Sequence, residues 1–161
     1  MSGDGAGPEE ILAVAADADV ILAGSRPRFD ADVIAGLGCT AIVRAGIGVD
    51  SVDLDAARAA GCWVVNVPDY GTEAVASHAL ALALTGMRRI VQADRSLRSG
   101  SWGFAGLRPL HLPAASVAGV VGFGRIGRRA AELLSAAGFG RVLAHDPFTP
   151  VALPGVEEAG F

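Results

Sequence analysis

This 161-residue sequence predicts an α/β fold built on parallel sheets. Three observations carry that expectation. Short apolar runs alternate with amphipathic stretches along most of the chain. The runs are nearly continuous in apolar residues, which is how strands covered on both faces read. A Gly-rich turn, GFGRIG at residues 122–127, joins one such run to the next amphipathic stretch.

Residues 9–16 read as a helix and residues 19–23 (DVILA) as a buried strand. Residues 30–37 form a short helix stopped by Gly38, and residues 40–44 (TAIVR) a second strand. The chain then turns through Gly46, Ile47 and Gly48. A helix over 52–60 ends at Gly61, and a third strand over 63–67 (WVVNV) stops at Pro68. Thr72 suits a helix cap and Glu73 the first turn behind it. The run ALALAL at 79–84 alternates like a strand, but Ala and Leu are strong helix formers. One helix is therefore expected over 73–98, buried in its first half because that half is apolar all round. Residues 99–113 form a connector. A strand over 116–121 leads into the Gly-rich turn. A helix follows over 125–137, with Ile126, Ala130, Leu133, Leu134 and Ala137 on one face. Gly138 supplies its stop signal. The next strand, 141–144, ends at His145, Asp146 and Pro147, and beyond Pro147 no order is legible.

Composition narrows the class. Hydrophobic residues make up 52% and charged residues 19%, which argues against disorder. The 13 basic residues face 17 acidic ones. All the basic residues are Arg and they are scattered, so no nucleic-acid surface is expected. The absence of Lys removes any lysine-based covalent mechanism. Cys39 and Cys62 lack metal-ligand spacing and read as free thiols in a reducing compartment, so no metal is expected. The amino terminus, MSGDGAGPEE, has neither a basic region nor an apolar core and does not read as a signal peptide. The most apolar stretch, 74–87, is too short to span a bilayer. The expectation is a cytoplasmic protein without membrane partners. Its length suits one ordinary domain and is short for two complete ones.

The turn at 122–127 matches the dinucleotide fingerprint G-x-G-x-x-G. Alone that pattern is weak among 22 glycines. Its context strengthens it: a strand before, a helix beginning inside, and a second strand ending in Asp146, nineteen positions past Gly127. Gly122 permits the tight turn, Gly124 lets a pyrophosphate approach the backbone, and Gly127 lets helix and strand pack closely. The amides at the helix start, from Arg125 and Ile126 onward, favour phosphate charge. Arg125 either lies along the pyrophosphate or is an ordinary solvated residue. Asp146 would accept hydrogen bonds from the adenosine ribose, and a carboxylate there favours NAD over NADP. The alternative is a Gly-rich turn that binds nothing.

Four motifs follow one another: RAGIGVDSVD at 44–53, NVPDYGT at 66–72, VGFGRIG at 121–127 and AHDP at 144–147. Together they resemble the D-isomer-specific 2-hydroxyacid dehydrogenase family. PDYGTEAVA at 68–76 is similar to its C-terminal binding protein-like branch. The resemblance implies doubly wound parallel sheets: a partial flavodoxin-like substrate domain over 1–70, then the first βαβ part of a Rossmann NAD-binding domain over 71–161. It implies NAD as cofactor and a 2-hydroxy or 2-oxo acid as substrate. It places Ala45, Gly46, Ile47 and Gly48 at the substrate carboxylate, where a Gly-rich turn can form an anion-binding nest. A plain strand-to-helix turn explains the same residues equally well. Val75 and Ala76 match positions bordering the nicotinamide, or are helix packing.

The family's catalytic Arg, acidic residue and His lie downstream of the ribose Asp. The sequence given stops at Phe161, so no catalytic residue is assigned and the isolated chain is expected to be inactive. Ser77 stands where many relatives carry an acid. His78 reads as a core or interface residue, His111 has no carboxylate neighbour in sequence, and His145 falls at the adenosine end. A non-catalytic NAD(H)-responsive binding or interaction module is the competing reading. A single βαβ unit leaves sheet faces and edges uncovered, so a homodimer or pairing with a C-terminal fragment is expected.

Overall fold

The computed structural model describes residues 7–160, so most of the amino-terminal stretch discussed above lies outside the described residues. The chain divides between Gly71 and Thr72 into two compact units. Each is an α/β unit on a three-stranded, all-parallel sheet, the architecture the sequence predicts.

The first unit runs α1 (Pro8–Ala15), β1 (Val20–Ala23), α2 (Ala31–Ala35), β2 (Ala41–Arg44), α3 (Leu54–Ala59) and β3 (Trp63–Val65). Its strand order is β1-β2-β3, with Val20 beside Ala41 and Ala41 beside Trp63. Parallel neighbours need a crossover, and α2 and α3 supply it. Each crossover helix starts at an Asp cap. Asp30 accepts from the Val33 amide at 3.0 Å, and Asp53 from those of Asp55 and Ala56 at 3.1 and 2.9 Å. The cap at Asp53 starts α3 later than the sequence predicts. Val52 instead forms a parallel bridge with Phe29. Ile21, Val33, Ile34, Ile42 and Ala57 build the core.

Cover on both sheet faces is not what this unit shows. Along β1, Ile21 and Ala23 are buried while Val20 and Leu22 are exposed, and Trp63 and Val65 are exposed on β3. Among the described residues of this unit, nothing covers that second face. A run of apolar residues records burial potential and does not say which element meets it.

The second unit runs α4 (Thr72–Met87), α5 (Ile90–Arg98), β4 (Val117–Val121), α6 (Arg125–Ala136), β5 (Arg141–His145) and β6 (Glu157–Glu158). The helix expected over 73–98 is two helices. Arg89, in the left-handed region at φ 51°, separates them. Gly86 weakens the end of α4, and the Arg89 amide turns back to the Gly86 carbonyl at 3.1 Å. The expected burial of α4 also fails. Only Ala76 is buried there, while Val75, Leu82 and His78 are exposed. Thr72 is the first helical residue rather than a cap, and its hydroxyl has no partner among the described residues. The chain beyond Pro147 is ordered, against expectation. Val151, Leu153 and Val156 pack on the core of Phe123, Ala131, Leu134, Val142 and Ala144. β6 then pairs in parallel with β5, and Glu157 forms a two-pronged ion pair with Arg141 at 3.0 and 2.6 Å. Two residues of strand are too short for any periodicity to reveal.

Gly138 ends α6 at φ 80°, as its stop signal predicts. A Cβ there meets no atom, so only backbone strain opposes substitution. Gly138→Ala should therefore destabilise the second unit by about 1 kcal/mol, measured as a lower urea midpoint at unchanged slope.

Candidate functional site

The Gly-rich loop lies between β4 and α6, at the carboxyl end of the parallel strands, where open α/β sheets bind ligands. Gly122 takes φ 93°, and its amide donates to the His145 carbonyl at 2.8 Å, which ties the loop to the end of β5. Gly124 is the cap residue of α6, and no side chain caps that helix. A helix start without a side-chain cap can receive an outside acceptor. A Cβ at Gly124 would meet nothing within 4 Å, so open space faces the backbone there. A Cβ at Gly127 would collide with the Gly122 carbonyl and press on Val120 at 3.4 Å. Each glycine thus has a distinct physical requirement: a turn, an open approach and a close packing. Ile126 and Gly127 are partly buried and Arg125 is exposed.

Asp146 closes this site from β5. Its Oδ2 accepts from the Phe123 amide at 2.6 Å, and its Oδ1 from the amides of Phe148 and Thr149, both at 2.8 Å. Those hydrogen bonds, that from Phe123 first, hold its carboxyl below the ordinary carboxylate range. The carboxylate stays ionised, and Oδ2, which accepts one hydrogen bond where Oδ1 accepts two, keeps lone-pair capacity for a further donor. Phe123 is a residue that sequence reasoning missed. It is buried at 2% exposure in the middle of the loop, and its amide joins loop to carboxylate. An apolar residue at the first variable position of a G-x-G turn is the only signal for it.

In the first unit, residues 45–48 follow β2 at the carboxyl end of its sheet. The Ala45 amide donates to the Ala23 carbonyl at 2.9 Å and the Gly46 amide to the Arg44 carbonyl at 2.8 Å. The amides of Ile47 and Gly48 have no partner among the described residues. The turn therefore offers two donors, not four. Asn66 braces it, donating from Nδ2 to the Ile47 carbonyl at 2.7 Å. The Arg44 guanidinium lies against Gly46, with its Nε buried and without a hydrogen bond among the described residues. The Arg44 cation lies beside Gly46 and the Asp50 carboxylate against Gly48, so the corner carries both signs of charge, and neither the pattern nor the spacing of residues 44–48 announces Arg44's place in it. Asn66→Ala should cost about 1 kcal/mol of stability, read by chemical denaturation of the first unit.

Val75 is half exposed on α4, and Ala76 beside it is fully buried. Ser77 spends its hydroxyl on the Glu73 carbonyl at 2.7 Å. His145 places Nδ1 2.8 Å from the Ala159 carbonyl. His111 lines an apolar cavity with Leu80, Met87 and Phe139. Among the described residues no cluster of His, Cys, Asp or Glu could hold a metal, and no helix is long and apolar enough to cross a membrane.

The family described as D-isomer specific 2-hydroxyacid dehydrogenase, catalytic domain, matches residues 4–152. The chain belongs to that family. The D-3-phosphoglycerate dehydrogenase of Mycobacterium tuberculosis is 41% identical over 150 residues, 92% of this chain and 28% of that protein. The hydroxypyruvate reductase of Thermotoga maritima is 34% identical over 143 residues, 88% of this chain and 46% of that protein. Among solved structures, an NAD-dependent formate dehydrogenase from Staphylococcus aureus in complex with NAD superposes with a TM-score of 0.86 at 26% identity. It covers all of this chain, which spans 49% of it. The TT0316 protein from Thermus thermophilus superposes at 0.84 with 35% identity, covering 94% of this chain and 49% of its own. The chain thus spans half or less of the length of these relatives.

Proposed function

We propose that this chain supplies two recognition elements of an NAD-dependent D-2-hydroxyacid dehydrogenase: the adenosine-side cradle for NAD and the turn that receives the substrate carboxylate. The observation that carries this reading is the joint of Asp146, Phe123 and Gly122–Gly127. It combines an uncapped helix start, open space at Gly124 and an ionised carboxylate bonded to the loop. NAD, when bound, supplies the hydride acceptor for oxidation at C2 of a 2-hydroxy acid. The amides at the start of α6 hold pyrophosphate charge, and Asp146 accepts from the ribose hydroxyls and repels a 2′-phosphate. Ile47, Gly48 and Arg44 bind a carboxylate, with Asn66 fixing the turn. Val75 borders the nicotinamide.

Proton transfer is not among the tasks this chain performs by itself. His145 is committed to the Ala159 carbonyl, His78 is solvent-exposed, and His111 faces an apolar cavity. General acid–base catalysis needs a positioned group of suitable pKa, and none of the three is so placed. The exposed β4 residues Val117 and Val121 favour self-association of the chain. Calorimetry of the 161-residue chain with NADH and NADPH tests the reading, together with turnover assays on D-3-phosphoglycerate, glyoxylate, pyruvate and hydroxypyruvate. Binding of NADH in preference to NADPH, without turnover, is expected. No NADH binding, or equal affinity for NADPH, refutes the cofactor assignment. Robust turnover refutes the assignment of recognition without catalysis.

A further inference from the structure

Away from the candidate site, the first unit brings two sulfurs together. Cys39 lies in the loop before β2 and Cys62 immediately before β3, both at the amino-terminal edge of the sheet. Their Sγ atoms are 3.5 Å apart, both residues are 9% exposed, and both thiols are free. A disulfide requires about 2.05 Å, so the sulfurs must close by roughly 1.5 Å. The two residues root neighbouring strands: Ala41 pairs with Trp63, and the Trp63 amide donates to the Thr40 carbonyl at 2.9 Å. The ladder already holds their backbones in place. The surroundings are unequal. Cys62 lines an open cavity with Leu54, Ala57, Arg58, Gly61 and Trp63, while Cys39 does not.

We propose that Cys39 and Cys62 are a reversible oxidation site, with Cys62 the attacking and Cys39 the resolving thiol, closing an intramolecular disulfide across the roots of β2 and β3. The oxidant is a small-molecule disulfide of the glutathione type, entering by the cavity beside Arg58. The Cys62 thiolate attacks one of its sulfurs, a protein–glutathione bond forms, and the first small thiolate leaves. The Cys39 thiolate then attacks the Cys62 sulfur, the protein disulfide forms, and the second small thiolate leaves. The two protons lost by the protein end on the two released thiols. The protein gives up two electrons and one small-molecule disulfide accepts them.

The environment sets the speed. Burial, then the Cys39 hydrogen bond, pushes the Cys62 thiol up to about 11. Few Cys62 thiolates exist at neutral pH, so the disulfide closes slowly. Closure would confine residues 39–62, which include β2, the turn at 45–48 and α3, and would restrict the unfolded chain accordingly.

The test uses the full chain, incubated with oxidised and reduced glutathione at pH 7 to 9 and analysed by intact mass and peptide mapping. A monomeric product lacking two hydrogens, with Cys39 joined to Cys62, is expected. Its rate should rise about tenfold per pH unit, and the Tm of the oxidised chain should rise by about 10 °C. Cys39→Ser should accumulate a stable glutathione adduct on Cys62, and Cys62→Ser should leave Cys39 unmodified. A persistent wild-type adduct, only intermolecular disulfides, or no cross-link at pH 9 overturns the proposal. These wild-type readouts stand even where a serine variant fails to fold.

Discussion

Replacing Gly127 with alanine should abolish measurable NADH binding and destabilise the second unit by about 2–3 kcal/mol. The added Cβ would run into the Gly122 carbonyl, which is backbone and cannot rotate away. Gly122 is itself fixed, by its bond to the His145 carbonyl and its positive φ. Relief must therefore come from α6 moving off β4, which opens the core around Phe123, Ala131 and Leu134. Gly124→Ala separates packing from recognition. Its Cβ would enter empty space, so stability should change little while NADH affinity still falls by tenfold or more. Urea denaturation and calorimetry on the two variants make the comparison. Equal losses of stability in both would contradict the distinct jobs assigned to these glycines.

Asp146→Asn should lower NADH affinity by about tenfold to a hundredfold and erode the preference over NADPH, through weakened ribose hydrogen bonds and loss of repulsion at the 2′ position. It should also alter acid stability. The Asp146 carboxyl is held low by the amides of Phe123, Phe148 and Thr149. Glu73 is held low by Arg129, and Glu157 by Arg141. A carboxyl depressed in the folded state contributes its full stabilisation above its ordinary value near 4 and loses it as pH falls through the lower, folded-state value. Thermal midpoints of the wild type should therefore be flat from pH 7 to about pH 5 and fall below about pH 4. In Asp146→Asn that fall should be shallower, because an amide cannot titrate. Salt should weaken the contributions of the two exposed Glu–Arg pairs more than that of Asp146, whose partners are backbone amides.

The sequence by itself determined the parallel α/β architecture, because apolar runs punctuated by Gly and Pro admit few other arrangements. It also determined the helix start at Asp30, the stop at Gly138, and the strand–turn–helix context of Gly122–Gly127. All are local: a side chain bonding an amide three residues on, or a φ that only glycine adopts easily. It located Asp146 by spacing and four motifs by order.

Tertiary structure decided what depends on distant partners. The break at Arg89 overrides helix propensity that runs on both sides of it. Exposure of α4 and of one face of the first sheet follows from which elements are there to cover them, which hydrophobicity cannot specify. β6 exists because β5 offers an edge and Arg141 a countercharge to Glu157. The turn at 45–48 has two donors to offer because Ala23 and Arg44 take the other two. The buried amide of Phe123 on Asp146, and the meeting of Cys39 with Cys62, join residues 23 positions apart in each case. Such pairings are set by strand register, and no local rule of sequence encodes them.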